Sequence, residues 1–538
     1  MDAAPRPEPT DDLVRRLAEL NRIGIALSQE KNLDRLLEAI LLAAKQITNA
    51  DGGTLYRRIL TPQDALRFEI IRNDTLGIAM GGTTGVKIPF EPLPLRDATG
   101  GGNTSMVAAY AVLNERTVAI ADAYAAREFD FSGTKAFDRQ TGYRSQSFLT
   151  VPMKDHEDEI IGVLQLINAK DRATGAVVAF SETDIHLAES LASQAAMALT
   201  NRLLLLQLEN LFESFINLIN KAIDEKSPYT GGHCARVPVL TMMLAEAANA
   251  TTKGPLAGWQ MTDKDRYELK IAGLLHDCGK VTTPVHIVDK ATKLQTIHDR
   301  IELIDTRFEV IKRDAELAAL RGQGSREDIA ARLRAIDEDR DFLRRCNIGS
   351  EAMHPGDCER VLAIARKYRW RGPDGREGDC LTEDEIHNLT IHSGTLTQAE
   401  REIINHHINV TIEMLEALPW PRHLRNVPEY AGGHHERMDG TGYPRGLKRE
   451  QMSVQARIMG IADIFEALTA RDRPYKEGKT LTESLQILGK LKLAGHIDPD
   501  LFDIFIRDRV YLRYAKEFMN PHQIDAVDVR KIPGYTGD

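Results

Sequence analysis

At 538 residues, with 42% hydrophobic and 28% charged side chains, the chain has the composition of a soluble globular protein and is too long for one ordinary core. The formal net charge of −10 excludes non-specific binding to a nucleic-acid polymer, which needs a clustered basic face, so any phosphate substrate must be met by local charge. Five cysteines, none in a close metal-binding pair, fit a reducing compartment, and the cytoplasm is the expected location.

The first residues, MDAAPRPEPTDDL, are acidic and proline-rich without an apolar run behind a positive segment. Residues 1–12 are therefore expected as a disordered tail and not a secretory signal. No stretch reaches the ~18 consecutive apolar residues of a membrane span, so no membrane partner is expected. Leu17, Leu20, Ile23 and Leu27, then Leu33, Leu36, Leu37, Ile40 and Leu41, recur at helical spacing and predict two helices with a break near residues 28–32. After Asp51-Gly52-Gly53 the pattern shortens to strands at residues 54–59, 66–71, 117–121, 147–153 and 160–167, with a hairpin turn at 155–158. Ser181-Glu182-Thr183-Asp184 offers a capping oxygen and an acidic first turn to a further helix. Residues 13–185 thus read as an α+β domain.

That helix continues through residues 186–226, because Leu191, Ala195, Ala198, Leu208, Leu211, Phe215, Leu218 and Ala222 keep a helical rhythm and no glycine or proline comes before Pro228. It is either a rigid spacer packed on its own domain or a parallel seam, and a homodimer is the expected assembly. Residues 227–520 are expected as an all-α domain and 521–538 as a C-terminal tail. Within that domain residues 297–342 are highly charged, with helical spacing broken at Arg321-Gly322-Gln323-Gly324, which predicts an antiparallel helical hairpin. Residues 370–380 read as a glycine-rich loop. Thr382 with Glu385 and Thr397 with Glu400 read as capping boxes.

The chemistry centres on His276-Asp277, which follows an apolar run and precedes Cys278-Gly279-Lys280. His233 lies upstream; His406-His407, His434-His435 and Asp463 lie downstream. Imidazoles mixed with carboxylates suit iron, manganese, zinc or nickel, whereas magnesium and calcium prefer all-oxygen sets. The donors exceed what one ion with an open position can use, and Asp277 can bridge through its two oxygens, so two ions are favoured. Such a pair suits phosphodiester hydrolysis. Any one of these histidines alone would more often be a surface or satisfied core residue; the conjunction changes that. Asp463, set between Ile461-Ala462 and Ile464-Phe465, would be costly to bury without a cation. His406 and His407 cannot both face one site, since helical neighbours point about 100° apart.

At these positions the chain resembles the HD-GYP subgroup of the HD phosphohydrolase superfamily. The carrying motifs are Gly232-His233-Cys234-Ala235-Arg236-Val237, Leu275-His276-Asp277-Cys278-Gly279-Lys280, His434-His435-Glu436-Arg437-Met438-Asp439-Gly440-Thr441-Gly442-Tyr443-Pro444, and Ala462-Asp463 with Arg473-Pro474-Tyr475-Lys476. The resemblance covers residues 212–510, apart from an insertion at about 297–394. It implies hydrolysis of cyclic di-GMP to pGpG or GMP, with His233, His276, Asp277, His407, His434, His435 and Asp463 as ligands of two divalent ions, iron or manganese first and zinc or nickel next. His407 is preferred to His406 because Thr411 stands where the family has a small residue. Asp277 and Lys280 are the implied catalytic residues, and Lys280, Arg236, Tyr443, Arg473 and Lys476 the implied substrate contacts. Tyr229 occupies the place of the glutamate that accompanies a third metal, and Glu466 the place of a second aspartate. The insertion is either a lid or partner surface, or a neutral elaboration.

Residues 13–185 resemble a GAF domain through the helix pair before Ala50-Asp51-Gly52-Gly53, the segment at 147–153, and the segment at 161–168 ahead of Phe180-Ser181. The resemblance implies a sensory domain for an unidentified small ligand. The absence of cysteine before residue 212 argues against a covalent bilin or thiolate-bound haem. The expected function is a GAF-regulated cyclic di-GMP phosphodiesterase. The alternatives are a non-catalytic cyclic dinucleotide receptor and a phosphodiesterase for another cyclic dinucleotide such as cyclic GMP-AMP.

Overall fold

The computed structural model describes residues 10–61, 63–97, 100–226, 232–323, 325–349, 352–470 and 478–537. Tyr229, Arg473, Lys476 and most of the expected N-terminal tail lie outside them. The chain divides into two units, Met1–Phe212 and Glu213–Asp538.

In the first unit the predicted helix pair is α1 (Thr10–Gln29) and α2 (Leu33–Thr48). The Asn32 side chain accepts from the Arg35 amide to start α2, and Asn49 ends it in the left-handed conformation, φ 51°. An antiparallel sheet follows, built from β1 (Ala50–Ile59), β2 (Ala65–Asn73), β3 (Ile78–Gly81), β4 (Leu93–Pro94), β5 (Val118–Ile120), β6 (Phe148–Lys154), β7 (Ile160–Lys170) and β8 (Val177–Val178). Its order is β3-β2-β1-β7-β6-β5, with β4 on β2 and β8 on β7. Alternation along the strands sends Leu55, Leu149, Val151, Leu164 and Leu166 into a core with α2, and Tyr56 and Val163 into a second core with α3 (Val107–Leu113). The expected hairpin turn is present, with Asp158 at φ 61° and the Asp155 amide on the Glu159 carbonyl at 2.9 Å. The pattern missed β3, β4, β8, α3 and α4 (Ser132–Thr141).

Helix α5 spans Glu182–Lys226 as one element. Its start is fixed reciprocally: Ser181 donates to Asp184 at 2.8 and 2.9 Å, and the Asp184 amide donates back to the serine Oγ at 3.2 Å. Leu187, Leu191, Ala195 and Leu199 are buried in the first unit, whereas Leu204, Leu208, Leu211, Phe215 and Leu218 are 44–62% exposed.

The second unit comprises α6 (His233–Ala250), α7 (Asp263–Leu275), α8 (Val285–Val288), α9 (Ile301–Leu320), α10 (Arg326–Asn347), α11 (Pro355–Lys367), α12 (Glu383–Leu389), α13 (Gln398–Asn405), α14 (His407–Glu416), α15 (Val427–Gly432), α16 (Val454–Thr469), α17 (Leu481–Leu493), α18 (Pro499–Arg507) and α19 (Val510–Phe518). Its centre is α6 packed between α7 and α16. Val237, Leu240, Leu244, Ile271, Ile458, Ile461 and Phe465 are buried there. Phe465 meets Phe505 edge-on at 5.0 Å and Tyr514 at 5.9 Å. Both predicted capping boxes, Thr382 with Glu385 and Thr397 with Glu400, are formed.

The insertion folds around a core of its own, in which Phe308, Ile311, Ile336 and Leu343 of the α9–α10 hairpin meet Val361, Ile364, Tyr368 and Leu389. Two expectations differ from the structure. The glycine-rich loop is a two-stranded hairpin, β9 (Arg369–Arg371) with β10 (Glu377–Asp379), so the unit is not purely helical. The C-terminal segment is packed: Gln523 Nε2 donates to the Thr469 and Lys479 carbonyls at 3.1 Å each, and Lys492 Nζ to the Gly534 carbonyl at 2.7 Å. These are long-range contacts that no local periodicity signals.

Candidate metal centre

Five helical elements deliver the histidines and aspartates. His233 is the first residue of α6, entered through Gly232 at φ 82°. Helix α7, started by a Thr262–Asp265 capping box, ends at Leu275. His276 and Asp277 therefore sit where it passes into the tight turn Cys278–Thr282. His407 opens α14, His434 and His435 follow α15, and Asp463 lies within α16. His407 is buried and His406 exposed.

The donors fall into two groups that share one carboxylate. Asp277 Oδ2 lies 3.1 Å from His233 Nε2 and 3.3 Å from His276 Nε2, and Asp463 Oδ1 lies 3.3 and 3.9 Å from the same two nitrogens. Asp277 Oδ1 lies 3.3 Å from His407 Nε2, which is 3.3 Å from His435 Nε2. Asp277, His407, His434 and His435 form one set with ligand atoms within 4.8 Å of one another, and His233, His276 and Asp277 form the other. His233 Nε2, His276 Nε2, His434 Nε2 and Asp277 Oδ1 are buried without a hydrogen bond of good geometry among the described residues. Converging buried lone pairs without donors are what a cation satisfies.

The outer partners fix which nitrogen is free. His276 Nδ1 lies 2.7 Å from the Gly273 carbonyl and His434 Nδ1 2.6 Å from the Ala431 carbonyl, and His407 Nδ1 meets the Ile404 carbonyl. In each the acceptor is three residues earlier, so Nδ1–H donates and Nε2 keeps its lone pair for the site. His233 Nδ1 is held by Glu466 Oε2, whose other oxygen accepts from Arg236 Nε at 2.7 Å. Glu466 was noticed in the sequence only as a departure from the family pattern; its partners lie more than 200 residues away. Arg236, expected as a substrate contact, is buried with its Nε on Glu466 Oε1.

Close backbone approach assembles the rest. A Cβ on Gly279 would fall 2.0 Å from the His407 carbonyl oxygen and 2.6 Å from the Thr411 amide. The Gly279 amide donates to Thr411 Oγ1 at 3.0 Å, which gives the small residue at 411 its physical reason. Glu436 is buried and accepts from the Arg445 and Leu447 amides at 2.7 and 2.9 Å, closing the loop that carries Tyr443. The Tyr443 ring stacks on His435, centroids 4.9 Å apart at 23°. Lys280 Nζ donates to Asp277 Oδ2 at 2.6 Å. Sequence reading placed Glu436 in the motif without a role, which the folded loop supplies.

Burial alone would depress His233, but the carboxylates of Asp277, Asp463 and Glu466 hold its pKa well above the ordinary value. Burial, aided by His276, pushes His434 down to about 4. Burial, aided by His434, puts His435 well below its usual range. His434 and His435 are therefore neutral near pH 7, the form that ligates metal. Burial opposes ionisation of Asp277 and Asp463, yet Lys280 and the histidines around Asp277, and His233 with its neighbours around Asp463, hold both well below the usual carboxylate range.

Two outcomes are expected here. Changing Glu466 to alanine frees the His233 ring and leaves Arg236 buried without this carboxylate, so metal affinity measured by chelator competition should fall ~10–100-fold. Unchanged affinity would refute the supporting role. Acid should also weaken the metal-free unit. Burial holds His434 at about 4, and burial with Arg437 does the same for His496, whereas each titrates near ~6.5 when unfolded. Across that window the unfolded chain binds protons that the native state refuses, so stability present above ~6.5 is lost as pH falls toward ~4. His233, raised in the native state, gains some stability as pH falls through ~6.5 and is constant below it, so it offsets only part of the loss from the two depressed histidines. The urea midpoint in chelator should be lower at pH 5 than at pH 7, and an equal or higher midpoint would contradict this.

Residues 32–199 match the family model for the GAF domain, and residues 230–365 and 382–501 match two HD domain models. The chain combines an N-terminal GAF domain with a largely helical HD region, linked by the long helix α5. A 3'3'-cGAMP-specific phosphodiesterase of Vibrio cholerae is 44% identical over 82 residues, 15% of this chain and 19% of the relative. A cyclic di-GMP phosphodiesterase of Pseudomonas aeruginosa is 33% identical over 160 residues, 28% of this chain and 37% of the relative. The chain thus spans well under two thirds of the length of these curated relatives. The solved GAF domain of an Acinetobacter phosphoenolpyruvate-protein phosphotransferase is 17% identical, covering 35% of this chain and 94% of its own, with a TM-score of 0.25.

Proposed function

We propose that this chain of GAF and HD domains is a metal-dependent phosphodiesterase of the HD-GYP type that hydrolyses cyclic di-GMP to a linear product, pGpG or GMP. The observation that carries the reading is Asp277, whose two oxygens face two separate groups of buried donors. His233, His276, Asp463 and Asp277 Oδ2 would hold one divalent ion; His407, His434, His435 and Asp277 Oδ1 would hold the second. When bound, such ions, iron or manganese first and zinc or nickel next, lower the pKa of water and offset charge on the attacking and leaving oxygens.

The chain's own groups do the rest. The Lys280 ammonium, fixed on Asp277, stands at the edge of the donor set, where it offsets charge developing on a phosphoryl oxygen. Tyr443, half-buried and stacked on His435, offers its other face to a guanine base. Arg473 and Lys476, outside the described residues, would supply the further phosphate or base contacts. Glu466 and Arg236 hold His233 in place.

A second substrate is favoured by one observation: the relative sharing 44% identity is named for 3'3'-cGAMP. Parallel turnover assays on cyclic di-GMP and 3'3'-cGAMP with manganese- or ferrous-loaded protein decide between them. The proposal expects a linear product and faster turnover of cyclic di-GMP. Preferential turnover of 3'3'-cGAMP would transfer the assignment to that substrate, and tight binding without cleavage would make the protein a receptor.

The assembly we propose is a homodimer along α5, supported by the exposed Leu204, Leu208, Leu211, Phe215 and Leu218 at alternating spacings of four and three. The GAF domain would regulate turnover through a small ligand. The five cysteines are all free, which supports a reducing cytoplasm. Among the described residues no helix is long and apolar enough to cross a membrane.

A further inference from the structure

The end of α5 is tied to the metal-bearing elements of the second unit at three points. Glu213 pairs with Lys270 Nζ at 3.0 Å on α7, the helix that leads to His276 and Asp277. Asp224 accepts from the Gly232 amide at 3.3 Å, one residue before His233. Lys226, the last residue of the helix, points Nζ at the main-chain carbonyls of Lys280, 3.5 Å away, and of Val281. Ile216, Asn220 and Ile223, spaced along one side of the same segment, are 2%, 8% and 2% exposed, so this stretch is seated and does not merely pass by.

The chemistry of the third contact is specific. An ammonium at a helix C-terminus meets the negative end of the peptide dipoles, and here the same group also meets carbonyls of the tight turn Cys278–Thr282. Lys280 is held from both sides: its own ammonium is on Asp277 at 2.6 Å, and its peptide carbonyl faces Lys226. A catalytic group misplaced by about 1 Å can lose ~10²-fold in rate, so the placement of this turn is functionally sensitive.

We infer that Lys226 is a positioning residue for the Lys280 turn, and that with Asp224 it makes the last turn of α5 the setting point of the metal site. The inference rests on the phosphodiesterase reading of that site.

The test uses full-length, metal-loaded protein and the variants K226M, K226R and D224N. K226M should lower kcat on the cyclic dinucleotide ~10-fold, with KM and bound metal unchanged. Amide exchange should accelerate over residues 278–283 without a change over 263–275. K226R should recover most of kcat, because it restores the donor. D224N should accelerate exchange over residues 232–236. Wild-type kcat and wild-type local exchange in K226M would overturn the inference, as would a uniform rise in exchange across the unit, which reports only lost stability. If the wild type cleaves no cyclic dinucleotide, the functional reading fails, and the positioning role stands or falls on the exchange over 278–283.

Discussion

Changing Asp277 to alanine should remove both bound ions and lower turnover ~10³-fold or more, the scale expected when several kcal/mol of charge stabilisation is lost. The size follows from the carboxylate's position: one oxygen faces His233 and His276, the other His407, so no single donor set survives its loss. The substitution also takes from Lys280 its carboxylate partner and from His233 one of three. Changing Asp463 instead should affect one set only, because its short contacts are with His233 and His276. Elemental analysis alongside product chromatography checks both: loss of both ions in D277A, retention of one in D463A. A D277A protein that keeps two ions would show that Asp277 is not shared.

The second large effect is expected at a residue that touches no ion. Gly279→Ala places a Cβ 2.0 Å from the His407 carbonyl oxygen, 2.6 Å from the Thr411 amide and 2.7 Å from Thr411 Oγ1. These are mostly backbone atoms and cannot rotate aside. The turn after Asp277 and the start of α14 must separate, which moves His407 away from Asp277 and breaks the Gly279–Thr411 hydrogen bond. Destabilisation of ~3 kcal/mol or more is expected, since forced overpacking in a close-packed core already costs ~1–3 kcal/mol, together with a fall in turnover of ~10²-fold. Gly258→Ala, where an added Cβ meets nothing within 4 Å, should stay within ~0.5 kcal/mol of wild type. Urea unfolding in chelator and turnover at saturating substrate measure both. Equal midpoints for the two variants would contradict the close approach.

What could be read from the chain alone follows the range of each interaction. The capping boxes at Thr382 and Thr397 are local devices and appear in four-residue windows. The choice of His407 over His406 came from the small residue at 411, and the structure supplies its cause in the Gly279 contact. Glu466 and Arg236 mark the other limit. Arg236 was expected as a substrate contact through the family resemblance of the motif that carries His233. In the fold it pairs with Glu466, a partner that periodicity cannot indicate. The C-terminal segment likewise owes its order to Thr469, Lys479 and Lys492, all far from it in its own local pattern. The hairpin of β9 and β10 escaped because its strands, Arg369–Arg371 and Glu377–Asp379, are short and almost wholly polar, with no apolar alternation to read.

The central claim is that two ions sharing Asp277 hydrolyse a cyclic dinucleotide. The most direct measurement counts metal per chain in protein reconstituted with manganese or ferrous iron, and follows cyclic di-GMP in the same sample. The account predicts about two ions per chain, as expected for a two-metal site, with a linear product that disappears in D277A. Stoichiometric metal without cleavage of any cyclic dinucleotide, or cleavage that persists at full rate after the ions are removed, would contradict it.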